Sequence, residues 1–284
     1  MASYVDRGDG LGEALAGLLR PGNAGSNTAA DHIEVFEMSV AALPPVPPNV
    51  KLVVRADCAG CSQEFLAYLR LAGAGFSVGF DVTEPVRRAI GALPEDAWVP
   101  AVRQNGTPRD GAAVAEITDH LDLSGYPKGS RVIVRREPLH PGAQQTLFDI
   151  PDARFTVFLT DHTDTDLAEL DRDHREHAHV EERIRGAKDT GARNLPCETF
   201  ERNNVWLQLV MMAQDLMVWT QALTLDGKLG RAEPATLRSM LLHAPARIVR
   251  SGRRVKLKIQ HDWPWAAHLV AAFRRLDALP LPAT

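Results

Sequence analysis

The chain has 284 residues, 45% hydrophobic and 24% charged, with a formal net charge of -4, a composition that excludes a disordered tail protein and suits one large domain or two modest ones. No window approaches the roughly 20 uninterrupted apolar residues of a membrane span, because the richest run, Val205 to Leu225, is broken by Gln208, Gln214, Asp215 and Gln221. The start has no basic region leading into an apolar core, and three cysteines cannot all pair with one another, so we expect a cytoplasmic chain without structural disulfides or a membrane partner.

Residues 2–5 and 13–19 flank a Gly-rich turn and read as the strands of a β-hairpin. Pro21-Gly22-Asn23 breaks that pattern, Ser26-Asn27-Thr28 offers an N-cap, and residues 28–43 read as a helix with Ile33, Val35, Phe36, Val40 and Leu43 as apolar positions. Pro44 to Pro48 form a stiff connector. Lys51 to Ala56 is a short β-branched run ending in Asp57, Ser62 to Leu71 resumes helical spacing, and Phe76 to Phe80 is the next strand. Strand, helix and strand in this order imply a βαβ unit with Asp57 at the carboxyl end of its strand.

From about residue 95 to 160 the texture changes to short β-like runs separated by turns: Trp98 to Val102, Ala112 to Ile117, Arg131 to Arg135, Gln145 to Phe148 and Phe155 to Thr160. We read this stretch as a small β insertion. Helical spacing returns over Leu167 to Ala187 and Phe200 to Leu223, and the part from about 228 is basic and expected to be helical with short breaks.

Charge is segregated. Asp161 to Glu182 holds nine acidic residues against Arg172 and Arg175, whereas Lys228 to Lys258 holds nine basic residues against Glu233 alone. The acidic stretch suits a divalent metal and the basic stretch suits phosphate. The bland alternative is two solvated faces of opposite sign that attract each other.

The most informative segment is His174 to Lys188. At about 3.6 residues per turn, His174, His177, Glu181 and Lys188 fall within a stripe roughly 60° wide, so one helix would present two imidazoles, a carboxylate and an ammonium. Solvated Glu and Lys on a surface helix are the competing explanation.

The spacing H-x2-H-x3-E-x6-K resembles the Y-x2-R-x3-E-x6-K signature of bacterial insertion-sequence transposases of the DDE type, with His174 and His177 at the Tyr and Arg positions. Arg55 to Gly60 resembles the strand-end Asp motif of the same group, and Leu18 to His32, Asp122 to Gly129 and Ala187 to Pro196 are similar to one transposase subfamily. The resemblance runs almost from Met1 to the last helix.

It implies an α/β fold: an RNase H-like core with a β-rich insertion and a helical C-terminal region. The expected spans are 1–90 for the first part of the core, 91–160 for the insertion, 161–225 for the second part with the Glu-bearing helix, and 226–284 for the basic helical region. In the family, two Asp and one Glu hold two divalent metals, Mg²⁺ or Mn²⁺, that clamp the attacking and leaving oxygens of a phosphodiester. Carried over by position, Asp57 matches the second Asp and Glu181 the Glu, both as catalytic residues and metal ligands. His174, His177, Arg185 and Lys188, with Arg253, Arg254 and Lys256 of the basic segment, would contact DNA phosphates. The family's first Asp lies on a strand upstream of the opening hairpin, and no residue here matches it. The resemblance therefore implies an incomplete core, a truncated N-terminus and impaired catalysis. It also implies double-stranded DNA, at element ends and target, as partner, with a homodimer or pairing with full-length transposase.

Two smaller signals remain. Trp98 is either a base-stacking residue or core of the β unit, and core is the reading we adopt. Cys58-x2-Cys61 could bind zinc with His174, His177 or Cys197, which would make a zinc-binding module the third functional alternative after a transposase and a non-catalytic DNA-binding or inhibitory fragment. A lone C-x2-C is otherwise two reduced thiols on the first turn of a helix.

Overall fold

The computed structural model describes residues 1–8, 12–23, 28–139, 153–163, 166–176 and 178–280. In chain order its strands and helices are β1 (Ala2–Val5), β2 (Glu13–Gly17), α1 (Ala29–Ala42), β3 (Val53–Ala56), α2 (Gln63–Leu71), β4 (Gly75–Gly79), α3 (Glu84–Gly91), β5 (Val99–Val102), β6 (Pro108–Glu116), β7 (Arg131–Pro138), β8 (Ala153–Thr160), α4 (Leu167–Arg175), α5 (Ala178–Ala187), α6 (Phe200–Thr224), α7 (Pro234–Leu237), β9 (Ala246–Ser251), β10 (Arg254–Ile259) and α8 (Ala266–Asp277). The expected strand Gln145 to Phe148 lies outside the described residues. The chain divides into two compact units, Asn23–Ala178 and Met1–Gly22 with His179–Thr284.

The unit Asn23–Ala178 is built on a six-stranded sheet of order β3-β4-β8-β7-β6-β5, in which β3 and β4 are parallel and the other neighbours antiparallel. Side chains alternate between its faces. Val132, Val134, Val157 and Leu159 pack with Phe65, Leu66 and Leu69 of α2 and with Val86 and Ile90 of α3, whereas Ile133 and Phe158 pack with Val114 and with Leu170 of α4. Helices cover both faces, which is why β4 is buried throughout and its sequence shows no polar alternation. Capping fixes the helix starts: Thr28 and Asp31 form a reciprocal capping box on α1, and the Ser62 hydroxyl accepts from the Phe65 N–H on α2.

Strands β5 to β8, the stretch read as a β-rich insertion, extend the sheet of β3 and β4 and share its core. Turn-rich short strands look alike in sequence whether they make their own sheet or join another, and only the burial of both faces of β7 and β8 separates the cases.

The other unit carries the hairpin β1–β2 against α6, with α5, α7, α8 and the hairpin β9–β10. The Tyr4 hydroxyl donates to Gln214 Oε1, the Ala14 N–H to Asp215 Oδ1, and Gln208 Nε2 to the Gly17 carbonyl, so β1 and β2 are tied to one side of α6. Leu225, Leu229, Leu237 and Leu241 form a second apolar centre with Trp265 and Leu269.

The region 226–284 is not simply helical. Residues 254–259 alternate basic and apolar at period two, and Ser251 pairs with Arg254 across a two-residue turn in which Gly252 has φ 58°. That left-handed conformation favours glycine and closes a tight hairpin. Among the described residues no helix is long and apolar enough to cross a membrane.

Candidate active site and nucleic-acid interface

Asp57 follows the last residue of β3, at the carboxyl end of the parallel β3–β4 pair, where open α/β sheets place their ligands. It is exposed, and its Oδ1 accepts from the Ala59 N–H at 3.1 Å, capping the short turn Cys58–Gly60. Gly79, the last residue of β4, lies directly against that turn: a Cβ built on it would stand 2.8 Å from the Cys58 nitrogen and 3.1 Å from the Asp57 carbonyl carbon.

Sequence reasoning missed Asp81. It stands two residues past the end of β4, where Asp57 stands one past the end of β3, and both carboxylates act on the Cys58 thiol. The available signal was topological, an acid just past the end of each of two parallel strands. Burial first, then a hydrogen bond and charge from Asp81 and the charge of Asp57, push the Cys58 thiol up to about 11. Burial pushes Cys61 up to about 12. In the metal-free protein both are therefore protonated near neutral pH, which is not the form that attacks a disulfide.

His174 does not present itself to solvent. It is 8% exposed, its Nδ1 lies 2.9 Å from the Ser77 hydroxyl, and its ring stacks on Phe158 at 4.2 Å between centroids and 6° between planes. The expected continuous stripe is also interrupted, because α4 ends at Arg175 and α5 begins at Ala178. His177 lies outside the described residues.

Up to Glu176, most of the described acids of this stretch are matched internally. Asp161 is buried, accepting from Arg70 Nη1 and the Phe76 N–H, both at 2.8 Å. Asp171 is fully buried between Arg135 Nη1 at 2.7 Å and Arg175 Nε at 2.9 Å. Asp166 caps α4, Asp173 accepts from Arg172, and Glu176 pairs with Arg55 at 3.0 Å. These partners all belong to Asn23–Ala178.

Glu181 and Arg185 stand exposed on α5, and Lys188 stands exposed at the start of the wide turn Lys188–Ala192. Trp206 Nε1 donates to the Gly191 carbonyl and holds this turn. Glu182, about 100° further round the helix, lines an open cleft of about 740 Å³ with His179, Arg185 and Asp189, and Glu181 is not part of that lining. Glu181 belongs to the unit containing α5, and Asp57 to the unit containing β3.

Trp98 is half-buried. Its ring centroid lies 6.3 Å from that of Phe155, and the Arg136 guanidinium sits 4.5 Å over it. It packs against the sheet's main apolar cluster, as the core reading expects.

The pairing of β9 with β10 sorts their side chains by face. Arg247–Lys258, Val249–Lys256 and Ser251–Arg254 share one face, whereas Ile248–Leu257, Arg250–Val255 and Ala246–Ile259 share the other. One side of this exposed ribbon therefore carries Arg247, Arg254, Lys256 and Lys258, and Arg253 sits in the turn.

Asp57 and Glu181 are exposed carboxylates, and among the described residues neither forms an ion pair; hard oxygen donors of this kind suit Mg²⁺ or Mn²⁺. Within either unit, no three His, Cys, Asp or Glu among the described residues are grouped to hold a metal. Residues 7–281 match the family described as Transposase DDE domain group 1. No curated protein matches the chain.

Proposed function

The chain belongs to the transposase DDE domain group 1 family, and from that premise we propose that it acts on the DNA of a bacterial insertion sequence, by phosphodiester cleavage and strand transfer in an RNase H-like core. The observation that carries this reading is Asp57, exposed at the carboxyl end of β3 and braced by the close approach of β4.

In this proposal Asp57 and Glu181 hold the divalent cations, Mg²⁺ or Mn²⁺. When bound, these supply charge stabilisation to the attacking and leaving oxygens of the phosphodiester. The chain's own residues position the substrate. Arg185 and Lys188 lie four and seven residues beyond Glu181, close to its face of α5 and the following turn, and would hold phosphates near the carboxylate. Arg253, Arg254 and Lys256 add backbone contacts through the ribbon, and a two-stranded ribbon is narrow enough for a major groove about 12 Å wide. His174, buried against Phe158, acts instead by fixing α4 to the sheet.

Two matched carboxylates are fewer than the family's three, so this polypeptide by itself should bind DNA better than it cuts it. The second reading, a DNA-binding or inhibitory fragment that pairs with full-length transposase, rests on the same count. Nicking of a cognate element end in Mn²⁺, measured beside binding of the same duplex, tests both. Binding with little nicking is the expected result. Robust nicking that Asp57→Ala and Glu181→Gln abolish would overturn the impairment and keep the site, whereas nicking indifferent to both substitutions would overturn the site.

A further inference from the structure

The two strands of the β9–β10 ribbon carry different chemistry on the face they share. There β10 presents Arg254, Lys256 and Lys258, three cations in succession, whereas β9 presents Arg247, Val249 and Ser251, a forked guanidinium, a branched apolar group and a hydroxyl. Arg247 and Ser251 are exposed and Val249 is half-buried, and residues 246–259 include no acid. The ribbon is fastened at its open end, where the Gln260 N–H donates to the Pro245 carbonyl at 2.9 Å and Trp263 Nε1 donates to the Met240 carbonyl at 2.8 Å. A strand that only grips phosphate needs charge, and β10 supplies it. Val249 offers a phosphate nothing, but a branched apolar group suits the methyl of thymine, a hydroxyl suits any base edge, and a guanidinium pairs bidentately with guanine O6 and N7.

The spacing agrees with base contact. Alternate residues of an antiparallel strand lie about 6.8 Å apart, the rise of two base pairs at about 3.4 Å each. Arg247, Val249 and Ser251 would thus meet every second base pair over a stretch of about five. We propose that β9 reads base edges in the major groove while β10 grips the phosphates along its wall, a use open to two-stranded ribbons. Arg247 selects a guanine, Val249 selects an A·T pair two steps away through the thymine methyl, and Ser251 accepts any base at the third position. This inference rests on the DNA reading of the chain and deepens it, because phosphate contacts alone carry no sequence information.

Selection by the full chain from duplexes with a randomised core tests it, followed by fluorescence anisotropy of the enriched duplex beside a scrambled one at about 100 mM salt. The expected core holds a guanine two steps from an A·T pair. Arg247→Lys, which keeps the charge and loses the fork, should lower the preference for that guanine about tenfold. With the unaltered protein, 7-deazaguanine at the same position should cost a similar factor, and it should cost Arg247→Lys nothing further. Val249→Ala should erase the discrimination between thymine and uracil. The base analogues probe the same contacts on the unaltered chain if a variant folds poorly. Duplex bound without sequence preference, or a preference untouched by both substitutions and both analogues, would overturn the inference and leave phosphate binding by the ribbon standing. No duplex binding at all would overturn the DNA reading and this inference with it.

Discussion

Gly79 and Cys58 stand so close that a side chain on the glycine has no room: its Cβ would lie 2.8 Å from the Cys58 nitrogen. The end of β4 thereby sets the position of the turn that Asp57 caps. Gly79→Ala should push this turn away and lower stability by about 1–3 kcal/mol, the usual range for overpacking. Denaturant unfolding measures the loss. Gly91→Ala is the control, because it adds a methyl where nothing lies within 4 Å and favours its helix. Equal stability of Gly79→Ala and wild type would refute the bracing role.

His174→Ala removes a stacked ring and the partner of the Ser77 hydroxyl. The expected loss is roughly 2 kcal/mol or more of stability, with no change in the salt dependence of DNA binding. A protein of unchanged stability that binds duplex with a shallower salt slope would return His174 to the phosphate role its spacing first suggested.

The raised thiols make a chemical prediction. With Cys58 held up near 11 against an ordinary 9.0, iodoacetamide at pH 8 should alkylate it about tenfold more slowly than an unperturbed thiol, the scarcer thiolate being partly offset by its greater nucleophilicity. The folded chain keeps these protons to higher pH than the unfolded chain, so the associated stability is full below about pH 9 and is lost as pH rises through about 11. Mass spectrometry of alkylated peptides across pH 7 to 11 reads the first effect, and rapid labelling of Cys58 at pH 7 would contradict it.

Duplex binding should weaken steeply with salt, and replacing Arg254 and Lys256 by Gln should reduce the slope of log K against log salt by about 0.9 for each phosphate no longer neutralised. Ile248→Ser, on the opposite face of the ribbon, should leave the slope unchanged. Fluorescence anisotropy between 50 and 200 mM salt distinguishes the faces, and equal effects from both would dismiss the sorting of charge by strand pairing.

Local chemistry was legible in the sequence. The Thr28 cap, the spacing of residues 62–71 and the β-branched run before Asp57 gave α1, α2 and β3 nearly as they stand. What failed was anything set by partners distant in the chain. His174 had the right spacing for a helical stripe, but Phe158 and Ser77 draw it inward. The acids of residues 161–176 looked like a metal surface until Arg70, Arg135 and Arg175 were seen to face them. Helix α3 was not anticipated, although Pro85 stands in its first turn, where proline is well tolerated. The ribbon was missed because its basic content overshadowed the period-two alternation of Val255 to Ile259.

The internal matching of those acids bears on the rate at which the protein meets its DNA. Carboxylates already neutralised by neighbouring arginines do little to repel an approaching polyanion, whereas among the described residues Arg247, Arg254, Lys256 and Lys258 form no ion pairs, and their field remains uncancelled. Encounter should then be steered: the ribbon would govern how fast duplex is captured at low ionic strength more than how long it is retained.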